Sequence, residues 1–357
     1  MFLNLGSFRN GKLQQLKRER YYAAQAAQRL GKKAVPAFSF GSENLLINQK
    51  VGDEKSQIHD FVKDWFDRPE DFLDVRRQNF RPEITSADKN FSFPSFADQK
   101  DTASFFEDSQ PLWGRGSRMA FIILPHWNAD FSKYKVGTSV IRNLFLPVAT
   151  YRYFPNLSTE KEYSGQARFD IVGPNIGLTI KRFWQDILNI QYFAYYLKNT
   201  LKYDQVGIWA YSIGSPRGLV ASIFSDAFDF LIMNFLAGSF SQAVLEGIST
   251  QDIAKEIEKN ISREELEDIW SPLSPGRYEK YFKQLPKHTR LLQGKYDLVF
   301  GIDNNKKLVE RMRGVAPSVE IEEGDFGHFT YGDIEKVIPT VNRHAKFVFK
   351  NSSLKLL

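Results

Sequence analysis

The chain has 357 residues, a net charge of +6 and no cysteine. That length suits one large α/β domain or two smaller ones, and the missing cysteines exclude disulfides and a thiol nucleophile. The charge is mild for the length. Its basic clusters, Lys17-Arg18-Glu19-Arg20 and Lys32-Lys33, read as solvated helix surface rather than as a nucleic-acid footprint.

The first residues lack a long apolar run with a small-residue cleavage site, and no apolar stretch reaches membrane-spanning length, so a soluble cytoplasmic protein is expected. No zinc-ligand spacing, phosphate-binding glycine loop or dinucleotide fingerprint occurs, and neither a metal nor an organic cofactor is expected.

Residues 1–116 read as an irregular extension. It holds a helix at 13–30, an amphipathic helix at 56–66 and an alternating early strand at Phe91-Ser92-Phe93-Pro94-Ser95. The extension is expected to pack on the core and supply the first, antiparallel strands, or else to form a separate cap. From residue 117 strands and helices alternate, the pattern of a parallel sheet with crossover helices. The apolar run 120–124 reads as a buried strand, followed by a helix near 135–144, a strand at 145–151 and a loop to 170. A long helix follows at 176–201, with Trp184, Ile187 and Ile190 at helical spacing. After the strand 206–211 and the buried apolar segment 228–236, residues 239–286 read as a helical insertion too polar for the core, lying beside the pocket.

The most informative segment is Val206-Gly207-Ile208-Trp209-Ala210-Tyr211-Ser212-Ile213-Gly214. A β-favouring run meets a serine and then a helix-compatible run, so Ser212 falls at a sharp strand-to-helix turn. Such a turn crowds the positions two before and two after the serine, and both are small here, Ala210 and Gly214. An ordinary turn with a helix-capping serine is the alternative. Further on, a short strand ends in Gly294-Lys295-Tyr296-Asp297, and another in Gly324-Asp325-Phe326-Gly327-His328. A serine hydroxyl needs a base such as imidazole to take its proton, and a carboxylate fixes the imidazole tautomer. Asp325 is a rival acid on the histidine's own loop. His59, His126, His288 and His344 are rival bases; His344 reads as a surface or packing residue and His288 as solvated.

Serine, acid and histidine in this order, each after a strand, resemble the α/β-hydrolase superfamily over roughly residues 117–350. The segment around Ser212 looks like the family's G-x-S-x-G nucleophile elbow with alanine for the first glycine. The esterase-like and dienelactone-hydrolase-like branches look most similar. The resemblance implies an α/β-hydrolase fold, a mostly parallel central sheet with helices on both faces. It also implies Ser212, Asp297 and His328 as catalytic residues, and the backbone N–H groups of Trp127 and Ile213 as oxyanion donors. Pro125-His126 stands where the family often has His-Gly, which puts that loop's conformation in question. His126 and Tyr211 are candidate substrate contacts, with a satisfied loop histidine as the other reading of His126. The implied reaction is hydrolysis of a carboxylic ester, thioester or amide through an acyl-serine, with a small ester-like molecule as substrate. An acyltransferase and a non-catalytic scaffold on the same fold are the alternatives.

Overall fold

The computed structural model describes residues 11–30, 34–45, 53–87, 89–96, 101–109, 118–127, 148–154 and 168–352. Before the sheet come helices α1 (Lys12–Leu30), α2 (Glu54–Asp67) and α3 (Pro69–Leu73). Strands β1 (Thr85–Ala87), β2 (Asn90–Pro94), β3 (Thr102–Ser109), β4 (Met119–Leu124) and β5 (Ala149–Phe154) follow. The short α4 (Arg168–Ile171) and long α5 (Ile176–Asn199) lead into β6 (Gln205–Tyr211), α6 (Gly214–Ile223) and β7 (Phe230–Asn234). Next come α7 (Phe240–Glu246), α8 (Gln251–Glu258), α9 (Arg263–Ile269), β8 (His288–Gly294), α10 (Ile302–Val315), β9 (Glu320–Gly324) and α11 (Ile334–Asn351).

The nine strands form one sheet in the order β1-β2-β3-β5-β4-β6-β7-β8-β9. Pairings from β1 through β3 to β5 are antiparallel, and every pairing from β5 onward is parallel. Parallel strands buried on both faces need nearly unbroken apolar sequence, which β4 and β7 supply: every residue of both is buried, and all are apolar but Asn234. Side chains alternate across β6. Ile208 and Ala210 enter the larger core under α5 and α6, while Trp209 enters the smaller one under α11. The edge strand β9 is Glu-rich and half-exposed, with Glu320 and Glu322 paired to Arg290 of β8, a composition that discourages edge-to-edge association.

The helix expected at 135–144 lies outside the described residues, and two other local expectations are corrected. The strand expected at 145–151 is observed as Ala149–Phe154; it runs past Tyr151 through Arg152, which is buried in an ion pair with Asp108. Residues 239–286 are not too polar for the core. Their helices are amphipathic, and Phe240, Ile253, Ile257, Leu266, Trp270 and Phe282 are all buried. The segment packs on α2, where Trp65 Nε1 donates to the Tyr278 hydroxyl at 3.0 Å and Lys55 pairs with Glu265 at 2.7 Å.

Buried polar groups of α5 fasten the region before β4 to the rest. Gln191 accepts the Val75 N–H at 2.9 Å and donates to the carbonyls of Leu73 and Ala221, both at 2.8 Å. Asn189 accepts the Phe96 N–H at 3.1 Å and donates to Ser95 Oγ at 2.8 Å. Each buried backbone group satisfied this way avoids a desolvation cost of about 1–3 kcal/mol.

Candidate active site

The site lies at the carboxyl ends of β6, β7, β8 and β9, where an open α/β sheet offers a crevice. Ser212 follows β6 immediately and adopts a left-handed conformation, φ 53°. For a residue with a Cβ this costs about 1–3 kcal/mol and persists only where the surroundings enforce it. The next strand supplies much of that enforcement. Asn234, last in β7, accepts the Ser212 N–H at 2.9 Å and Ser215 Oγ–H at 3.1 Å with its carbonyl. Its side-chain amide donates to the Ala210 carbonyl at 3.2 Å.

On the other side the elbow abuts β4. A Cβ at position 214 would sit 2.7 Å from the Leu124 carbonyl oxygen, so glycine is required there. Ile213 then opens α6 with helical dihedrals, φ −58° and ψ −21°. N–H groups in the first turn of a helix have no helical acceptor and point outward from the N-terminus.

His328 sits on the loop after β9, and its Nε2 lies 2.8 Å from Ser212 Oγ. Its Nδ1 is 3.1 Å from Asp297 Oδ2. With Nδ1–H donated to the carboxylate, Nε2 presents its lone pair to the serine hydroxyl. Asp297, on the loop after β8, is fully buried, and its other oxygen accepts the N–H groups of Val299 at 2.8 Å and Phe300 at 3.0 Å. The carboxylate is therefore fixed before it meets the imidazole. Phe235 and Phe300 wall the ring at centroid distances of 4.4 and 5.1 Å. Phe235 is itself left-handed at φ 67°, directly after Asn234.

The structure thus brings Ser212, His328 and Asp297 into one hydrogen-bonded chain. Asp325 does not join it: the side chain is exposed and pairs with Lys295 at 3.0 Å. Trp127 follows β4 on the loop beside the elbow. His126 Nδ1 donates to the Trp127 carbonyl at 2.7 Å. Tyr211 stacks on Trp209 at 6.5 Å and packs against two smaller apolar clusters. Among the described residues no three acidic or histidine side chains converge as a metal site.

Of two further histidines, one differs from its sequence reading and the other takes the packing role that is one of its two readings. His288 is half-buried and stacked on Phe230 at 4.9 Å rather than solvated. His344 is fully buried, and its Nε2–H donates to Asn234 Oδ1 at 2.9 Å. Burial, with Arg290 and Arg343 nearby, holds His344 far below the ordinary imidazole range, so it is neutral. Asn234 and Glu19 escaped the sequence reading, and so did the hydrogen bond by which His344 holds Asn234. Glu19 lies within a basic run read as solvated, yet it is fully buried and accepts the N–H groups of Phe329 at 2.8 Å and Thr330 at 2.9 Å. Nothing in the local sequence signals it, since its partners lie at the other end of the chain.

No protein-family model and no curated protein matches the chain. Among solved structures it is similar to an acylaminoacyl peptidase of Pyrococcus horikoshii, with TM-score 0.53 and 13% identity over 79% of this chain and 44% of that one. The chain therefore spans less than half the length of that peptidase. It is also similar to an esterase of Pyrococcus furiosus, with TM-score 0.47, 13% identity, and 79% of this chain and 93% of that one covered. For acetyl xylan esterase 1 of a Thermoanaerobacterium the TM-score is 0.47, the identity 12%, and the coverage 81% of this chain and 98% of the other. The sheet order and the peptidase likeness together show the α/β-hydrolase fold.

Proposed function

We propose that the protein is a serine hydrolase acting on a carboxylic ester, with thioester or amide cleavage as variants of the same chemistry. One observation carries the reading: the His328 imidazole bridges Ser212 Oγ at 2.8 Å and buried Asp297 at 3.1 Å. In this reaction Ser212 attacks the substrate carbonyl while His328 Nε2 takes its proton. Asp297 keeps the imidazole in the productive tautomer and stabilises the imidazolium. The backbone N–H groups of Ile213 and Trp127 receive the tetrahedral oxyanion, a role worth about 2.7–4 kcal/mol for one donor in a comparable site. His328 returns its proton to the leaving alcohol. Water, activated by the same imidazole, then releases the acid from Ser212.

The supporting facts are the strained serine, the pre-fixed carboxylate and the fold. A panel of 4-nitrophenyl esters of increasing acyl length, with Ser212→Ala as control, tests the reading. Turnover of at least one ester that depends on Ser212 is expected. Equal turnover by both proteins would overturn it.

A further inference from the structure

Helix α1 brings a second carboxylate to the histidine loop. Glu19 is separated from Phe329 by 310 positions in the chain, yet its two oxygens accept the N–H groups of Phe329 and Thr330, the residues directly after His328. The loop is otherwise closed on itself. Thr330 Oγ1 accepts the Gly327 N–H at 2.7 Å, and the Tyr331 N–H donates to the Gly327 carbonyl at 3.0 Å. The fit is close: a Cβ on Gly327 would lie 2.4 Å from Glu19 Cδ and 2.6 Å from the Tyr296 carbonyl oxygen. Arg18 adds a second attachment, its guanidinium 2.7 Å from Asp333 just beyond the loop.

We propose that Glu19 is a positioning residue for His328: its carboxylate sets the loop that aims the imidazole and places a second negative charge, beyond Asp297, in the field of that ring. The inference rests on the hydrolase reading above. A neutral side chain could cap these amides at a smaller desolvation cost than a buried carboxylate. Burial holds the Glu19 carboxyl above its ordinary range, and the two amide N–H groups and His328 offset this only in part, with Asp297 adding to the rise. A carboxylate held here, when ionised, attracts the positive charge that the ring acquires on accepting the serine proton. The other charges facing this region are Asp297 on the inner side and the Arg18–Asp333 pair, Lys336 and Asp325 on the outer side.

The experiment uses the full chain with Glu19→Gln and Glu19→Asp. The His328 imidazole is titrated by NMR, and kcat/KM for 4-nitrophenyl acetate is followed against pH. In Glu19→Gln the His328 titration and the acid limb of kcat/KM both move to lower pH by roughly half a unit. The optimum value falls about tenfold, and Glu19→Asp, which keeps the charge, recovers part of the loss. A folded Glu19→Gln with an unmoved His328 titration overturns the proposal, and so does an activity loss that only tracks the folded fraction. If Glu19→Gln does not fold, Glu19→Asp carries the test, since withdrawing the charge by one methylene moves the titration in the same direction by less. A wild-type chain without Ser212-dependent turnover would defeat the hydrolase reading alone, and the NMR titration would still decide the role of Glu19.

Discussion

Asn234 holds Ser212 from the neighbouring strand: its carbonyl accepts the serine N–H at 2.9 Å, and its side chain holds the Ala210 carbonyl at 3.2 Å. One residue thus grips both limbs of the elbow, and His344 grips that residue in turn. Asn234→Leu orphans the His344 N–H and the Ala210 carbonyl within the protein interior. Each loss costs about 1–3 kcal/mol. The urea midpoint should fall, and Ser212 should react more slowly with acylating reagents because the Ala210 limb of the elbow loses its side-chain tie, while the carbonyl of residue 234 still holds the Ser212 N–H. An unchanged midpoint with unchanged reactivity would remove Asn234 from the account.

The neutral state of His344 gives stability a pH dependence of known sign. Burial, with Arg290 and Arg343, depresses the folded-state pKa, so the unfolded chain alone takes up a proton as pH falls through about 6.5. This contribution is fully present above that value and declines below it, by at most about 1.4 kcal/mol per pH unit. His288, also depressed by burial and by Lys287, acts in the same direction. Melting temperature should therefore drop between pH 6.5 and 5, and less steeply in His344→Gln, which keeps a donor for Asn234 but cannot titrate. Parallel curves for the two proteins would contradict this.

The two aspartates near the histidine loop separate cleanly by geometry. Asp297 faces His328 from full burial, whereas Asp325 pairs with Lys295 at the surface. Asp297→Asn should lower kcat by about 10⁴-fold, as in a comparable triad, because an amide favours the wrong imidazole tautomer. Asp325→Asn should change kcat by less than about threefold, since exposed pairs contribute little. The reverse ranking in steady-state kinetics would move the acid role to Asp325.

Gly214→Ala tests the elbow's shape. The new methyl would lie 2.7 Å from the Leu124 carbonyl oxygen and 2.8 Å from Leu124 Cβ, so β4 and α6 must separate. Backbone groups rather than a flexible side chain stand in the way. Overpacking of this kind costs about 1–3 kcal/mol, and activity should fall much further than stability. Full activity in Gly214→Ala would show that the turn is looser than described.

Much of this arrangement is readable in the sequence because its cause is local. Small residues at 210 and 214 follow from steric crowding in a strand-to-helix turn, and the runs 120–124 and 206–211 are apolar because both sheet faces are covered. Asp297 and His328 stand out because each ends a short strand with glycine nearby. What stays hidden acts across the chain. Asn234 and His344 are 110 positions apart, and the pattern around either one describes only its own strand or helix. Glu19 is masked by Lys17 and Arg20, which do face solvent. The buried amides of α5 serve backbone groups of a region whose path no periodicity reveals. The polarity of residues 239–286, averaged over the segment, conceals helices with one buried face each.

In the proposed reaction Ser212 is the activated nucleophile, and intact-mass and peptide-mapping analysis of the folded chain treated with a fluorophosphonate probe tests that role most directly. One stoichiometric adduct is expected on Ser212, absent in Ser212→Ala and slowed by several orders of magnitude in His328→Ala. An adduct on a different serine, or a folded wild-type chain that forms none, would contradict it.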